Sequence, residues 1–218
     1  MTTPPPLEAS PRVPALSATE RTRVRRHSDR AATDRQELYD VLDDGRICHL
    51  GVIIDGSPRV LPTGYGRDGD TLYLHGSTGA VSLRADHEIC VTVTHMDGLV
   101  LARSLFNHSI NYRSAVIYGR PRHVTDPEEK LTGLRAVVEN MTPGRWDVAR
   151  HPTRKELAAT AILALPLDEA SVKIRQAPPI DDEEDYALDV WAGVLPVRET
   201  LGEPVPDPRL RPGIRYSE

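Results

Sequence analysis

Residues 46–77 read RICHLGVIIDGSPRVLPTGYGRDGDTLYLHGS, and this stretch decides the fold. Arg46 to Ile54 is strand-like, and Asp55-Gly56 then breaks the run. An Asp-Gly pair tolerates the positive φ values that a two-residue hairpin turn demands. Pro58 to Tyr65 follows as a second strand, in which Pro62, lacking an N–H, marks an edge or a bulge. Asp68-Gly69 turns the chain into a third strand, Thr71 to Leu74. Short strands joined by tight turns make a meander, not the β-α-β alternation of a parallel sheet.

The same pattern extends in both directions. Upstream, Thr33-Asp34-Arg35-Gln36 has the form of a capping box with Thr33 as the cap, Leu38, Val41 and Leu42 share one helical face, and Gly45 ends the helix. Downstream, Thr78 to Ala85 has room for one or two helical turns, and Ile89 to Thr94 is a β-branched strand. Asp97-Gly98 reads as a hairpin into Leu99 to Arg103, and Asn111 to Tyr118 is another strand. Asp126-Pro127-Glu128-Glu129 starts a helix whose apolar stripe is Leu131, Leu134, Val138 and Met141, stopped by Thr142-Pro143-Gly144. A short helix over Arg154 to Ala159 and strands over Thr160 to Leu165 and Ser171 to Gln176 complete the pattern. The fold expected is mainly β (α+β): an antiparallel barrel of short strands with a few peripheral helices.

Bulk properties narrow the class. The 218 residues suffice for one sizeable core, assigned to residues 21–218 with an irregular C-terminal extension. Residues 1–20, rich in Pro, Ala, Ser and Thr, read as a disordered tail. A net charge of −5 disfavours generic nucleic-acid binding. No apolar run reaches the length of about 18 residues that a membrane span needs, and the N-terminus lacks a secretory pattern. Two cysteines, Cys48 and Cys90, suit buried thiols in a reducing cytoplasm. The arginines at 21, 23, 25, 26 and 30 make either a solvated linker or an arm folding onto an anion or a partner. The acidic run Asp181 to Asp185 reads as a solvated loop.

Nucleotide-loop, zincin and nucleophile-elbow motifs are absent, and the eight histidines do not fall at metal-ligand spacings, so no metal site is expected. Three places can carry chemistry. His75-Gly76-Ser77-Thr78-Gly79 follows a strand and combines flexible backbone with hydroxyls, which suits either an anion or a plain hydrogen-bonded turn. In Asn111-Tyr112-Arg113-Ser114, alternation sets Asn111 and Arg113 on one face and Tyr112 and Ser114 on the other. Arg113 either clamps a phosphate or pairs with a carboxylate. Trp191, near Gly193 and Pro196, either stacks on a planar ring or fills a core or an interface.

Together, Ile47-Cys48-His49-Leu50-Gly51, Asp55-Gly56, Leu61-Pro62-Thr63, Leu72 to Ser77, Val91 to Thr94, Asp97 to Ser104, Asn111 to Ser114, Pro143-Gly144-Arg145-Trp146, Asp181 to Tyr186 and Trp191 to Val194 resemble the pyridoxamine 5′-phosphate oxidase-like split-barrel family, on the side of its nitroimidazole-resistance branch. The resemblance spans residue 21 to the C-terminus. It implies a six-stranded split barrel, a homodimer and FMN at the dimer interface. Arg59, Leu61, Pro62 and Thr63 would lie along the flavin ring. His75, Gly76 and Ser77, with Arg84 beyond them, would hold the phosphate. Arg113 and Ser114, with Asn111 and Tyr112 in the same segment, would contact the cofactor, and Trp191 would come from the partner chain. His75 takes the position of a functional histidine and is the candidate catalytic residue.

One departure stands out. The basic pair that follows the turn in the better-known oxidases is replaced by Gly79-Ala80-Val81-Ser82-Leu83-Arg84. The phosphate is then left to backbone N–H groups, hydroxyls and Arg113, or is bound weakly. The expected function is a flavin-dependent reductase of a small aromatic or nitro compound. The alternatives are a non-enzymatic flavin carrier or sensor, and a split barrel binding haem or a deazaflavin.

Overall fold

A computed structural model describes residues 15–16, 19–84 and 86–216, so most of the tail assigned to residues 1–20 lies outside the described residues. The elements, in chain order, are β1 (Ala31–Ala32), α1 (Arg35–Asp44), β2 (Ile47–Ile54), β3 (Ser57–Asp68), β4 (Thr71–Ser77), β5 (Ile89–Leu101), β6 (Ser109–Gly119), β7 (Arg122–His123), α2 (Pro127–Met141), α3 (Arg145–Val148), α4 (Arg154–Ala159), β8 (Thr160–Pro166), β9 (Glu169–Arg175) and β10 (Gly193–Pro196). All the strands join one antiparallel sheet in the order β1-β9-β6-β5-β2-β3-β4-β8-β7, with β10 on β5. The architecture is mainly β, as expected. The described strands number ten rather than six, partly because β1 and β7 are two-residue edge strands and β10 is a short addition.

Local chemistry explains the framework. Asp55 (φ 51°) and Gly56 (φ 73°) are both left-handed, and Ile54 faces Ser57 across the tight β2–β3 hairpin. β3 outlasts β2. It pairs with β2 from Ser57 to Gly64 and with β4 from Tyr65 to Asp68, so Pro62 sits in the half with one neighbour. Asp97-Gly98 is not a hairpin but a β-bulge inside the 13-residue β5. Residues on both sides of the bulge pair with β6, and Asp97 leaves the ladder. The cap of α1 is Asp34 rather than Thr33, with its carboxylate accepting from Gln36 N at 2.9 Å. Gly45 ends α1 in an extended conformation (φ −90°), and a Cβ there would lie 2.6 Å from Tyr65 Oη.

One core fills the inside of the sheet: Leu50, Tyr65, Leu74, Val93, Ile117 and Val172 under Leu38 and Leu42 of α1. Each fully buried leucine contributes about 2 kcal/mol. Tyr65 Oη donates to Leu42 O at 2.5 Å and fixes α1 over the barrel. Cys48 is buried, and burial pushes its thiol up to about 12. Cys90, expected to be buried, is half-buried; both thiols are unpaired. Among the described residues no helix is long and apolar enough to cross a membrane.

A second cluster lies outside the sheet, where α2 packs on β4 and β8 through Tyr73, Val124, Val137, Ile162 and Ala164. The stripe expected on α2 is rotated. Val137 and Gly133 are buried, whereas Met141 is half-exposed. Close approach sets this angle, since a Cβ on Gly66 would stand 2.2 Å from the Ala136 backbone. Gly66→Ala must therefore push α2 off β3, and urea unfolding should show a loss of about 3 kcal/mol. An unchanged midpoint would contradict this packing.

Candidate functional site

Strand alternation sorts the candidate residues. On β6, Ala115 and Ile117 enter the core, so Arg113 points inward and Tyr112 and Ser114 point outward. On β4, Leu72 and Leu74 enter the core and His75 faces out with Tyr73. On β3, Leu61 and Thr63 share the inward side with Tyr65, while Val60 and Pro62 face out; Arg59 is exposed near the strand end. On β2, Ile47, His49, Gly51 and Ile53 face out opposite buried Cys48, Leu50 and Val52. The outer face therefore collects Pro62, His75, Tyr112 and Ser114. Arg113 and Asn111 stand on the other side, so the structure does not bring Arg113 to the His75 turn.

The turn is held by its own bonds. A Cβ on Gly76 would stand 2.7 Å from Leu83 Cδ1, so a larger residue would have to displace that side chain. Ser77 Oγ accepts from Gly79 N (3.1 Å), Ser77 O from Ala80 N (2.9 Å) and Ala159 O from Thr78 N (3.1 Å). The backbone N–H cradle expected for a phosphate is thus already engaged. The side chains facing an anion there are the Ser77 and Thr78 hydroxyls and Arg84, whose Nη2 lies 3.4 Å from Thr78 O. Among the described residues His75 Nδ1 is buried without a partner, and burial pushes the imidazole's pKa down, which favours the uncharged ring.

Arg113 lines a polar mouth of about 660 Å³ with Asp43, Asp44, Arg46, His95, Asp97 and residues 197–200. Its guanidinium reaches Asp97 at 3.0 Å and Asp44 at 2.5 Å, and the two carboxylates hold its charge. This is the carboxylate pairing rather than a free clamp. The bulge at Asp97 makes it possible, a signal hidden in a sequence that reads as a turn. Asn111 is likewise engaged, accepting from Arg175 Nη1 (2.5 Å) and Ala177 N (3.1 Å). Arg21, the first arginine of the basic stretch, pairs with Glu88 and Glu169 of the same chain.

The acidic run is not a solvated loop throughout. Asp181 is fully enclosed and accepts from Arg103 N (3.0 Å), Ser104 N (3.1 Å) and Arg103 Nη1 (3.3 Å), and Arg103 in turn covers the Tyr186 ring. This latch fixes the chain leading to Trp191, which is 63% exposed and lays its indole over Gly193. Sequence reasoning also missed three histidines held by backbone carbonyls: His95 by Val41 O (2.9 Å), His108 by Ser104 O (3.0 Å) and His151 by Trp146 O (3.2 Å). Spacing along the chain carries no trace of such contacts.

The family model described as pyridoxamine 5′-phosphate oxidase matches residues 34–174. The chain belongs to this family. Flavocytochrome Anf3 from Azotobacter vinelandii is 41% identical, with a TM-score of 0.86 over 92% of this chain and 94% of that one. The FAD and heme binding protein from Mycobacterium smegmatis is 39% identical, with a TM-score of 0.82 over 86% and 94%. A putative 5-nitroimidazole antibiotic resistance protein from Bacteroides thetaiotaomicron is 22% identical, with a TM-score of 0.56 over 66% and 86%, a likeness of fold alone. No curated protein matches the chain. The segment matched to the pyridoxamine 5′-phosphate oxidase family ends at Ile174, before the Asp181 latch and Trp191.

Burial raises the Asp181 pKa, but the Arg103 and Ser104 N–H groups and the Arg103 guanidinium outweigh it and leave the carboxyl below its usual value. A depressed carboxylate stabilises the latch above the ordinary value of about 4 and loses that effect as pH falls through the lowered value. Amide exchange over residues 182–191 should therefore accelerate in acid. Asp181→Asn should show fast exchange already at pH 7, with no acid transition. Equal protection in variant and wild type would refute the latch.

Proposed function

We propose that this chain is a flavocytochrome that binds a flavin, FAD rather than the FMN expected from sequence, together with haem. The observation carrying this reading is the identity of 41% and 39% with two proteins described as a flavocytochrome and as FAD and heme binding, over 92% and 86% of the chain.

The residues present suit both groups. On the outer face, Ile47, Ile53 and Val60 stand exposed, with His49 among Gly51, Pro62 and Gly64, a mainly apolar strip suited to a planar isoalloxazine. His75, whose burial favours the uncharged ring, adds a hydrogen-bonding group on the same face. Carbonyl-held imidazoles with one nitrogen left over suit iron. When bound, the flavin and haem supply the redox chemistry. The chain's own part is to orient them, exclude water and set the local charge.

A second copy completes the reading. The strap anchored at Asp181 carries Leu188, Val190 and Trp191 exposed, and the outer strip is exposed too. A homodimer in which each strap covers the other copy's strip buries both. The unpaired thiols of Cys48 and Cys90 fit a reducing cytoplasm. The reductase of a small aromatic or nitro compound rests only on the nitroimidazole-resistance likeness, at 22% identity, and is set second.

Protein purified as a dimer by light scattering should show flavin bands and a Soret band, and acid extraction should release a nucleotide with the mass of FAD. A colourless monomer that gains no thermal stability from FAD, FMN or hemin would overturn the reading.

A further inference from the structure

We propose that His108 would hold the haem iron through Nε2, and that Leu105 and Phe106 of the loop, with Ile110 at the start of β6, would be the haem's apolar seat. This rests on the haem reading above. Iron takes the lone pair of a neutral imidazole, and a resident ligand has its other ring N–H held by an acceptor that fixes tautomer and orientation.

Few of the histidines meet both demands. His87 Nε2 accepts from Ile53 N at 3.3 Å, which occupies that lone pair. His75 buries an Nδ1 with no acceptor to hold it. His27, His49 and His123 have no ring hydrogen bond among the described residues. His95 and His151 are held through Nε2, which leaves only Nδ1, the nitrogen crowded against the side chain's own Cβ. His108 is held the other way round. Its Nδ1 lies 3.0 Å from Ser104 O. A carbonyl only accepts, so Nδ1 carries a proton, and in the neutral ring Nε2 is the nitrogen that keeps the lone pair, on an exposed side chain.

The surroundings point the same way. Phe106, the only phenylalanine in the chain, is 92% exposed, and Leu105 is 87% exposed. Ile110 is exposed beside them. These three exposed apolar side chains lie within three residues of His108 along the chain, and a bound macrocycle would give them cover.

The loop is also preorganised. Ser104 O accepts from Asn107 N at 3.1 Å, Ser104 Oγ accepts from Phe106 N at 3.3 Å, and Asp181 takes the N–H of both Arg103 and Ser104. The latch thus fixes the carbonyl that orients His108.

The test is hemin titration of flavin-loaded protein, followed by the Soret band and by the ferric spin state in electron paramagnetic resonance. His108→Ala should lower hemin affinity by more than about tenfold and change the spin state, and added imidazole should restore the spectrum. His27→Ala and His123→Ala should behave as wild type, and Phe106→Ser should weaken uptake with the ligation spectrum kept. A wild-type Soret band and spin state in His108→Ala would overturn the assignment while leaving the haem reading intact. A wild type that takes up no haem overturns both. A Phe106→Ser variant that loses its dimer while binding hemin normally would give the patch to a second copy and overturn the seat.

Discussion

The alternation of side chains along a β-strand governs everything in this molecule. One register puts Leu50, Tyr65, Leu74, Val93 and Ile117 into a single core, and the same register fixes what is left outside. His49 faces out because Cys48 and Leu50 face in. His75 faces out because Leu74 faces in. Arg113, two residues from buried Ala115, cannot share a surface with His75. A slip of one residue would exchange the two faces, so the outer surface is as strongly specified as the core.

Packing outside the barrel refines that surface. α2 lies on β3 and β4 only because Gly66 and Gly133 let backbone and ring approach closely. At the other end the chain beyond β9 is tied back by Asp181, whose carboxylate collects two backbone N–H groups and a guanidinium. That one side chain links the C-terminal strap to the loop before β6, and with it joins the exposed Trp191 to the orientation of His108.

The fold was legible in the sequence wherever the signal was local. Asp55-Gly56 made the hairpin its composition announced, and Asp126-Pro127 capped α2 as read. Asp97-Gly98 carries the same dipeptide chemistry and became a bulge, because β6 is long enough to pair with β5 on both sides of it. The distinction lies in the partner strand, which no local window contains. The candidate site was legible by face but not by contact. Alternation separated Arg113 from Ser114 correctly, yet the carboxylates that engage Arg113 come from α1 and from the bulge, and the acidic run hid one enclosed aspartate among solvated ones. The carbonyl behind His108 depends on how the loop folds, so composition could not reveal it.

The central claim is that one chain carries both a flavin and a haem. Spectroelectrochemical titration of the isolated protein tests it most directly. The account predicts two reversible transitions, bleaching of the flavin bands and a shift of the Soret band, in a ratio of one flavin to one haem per chain. A titration that shows only one of the two, in protein supplied with both cofactors, would contradict it.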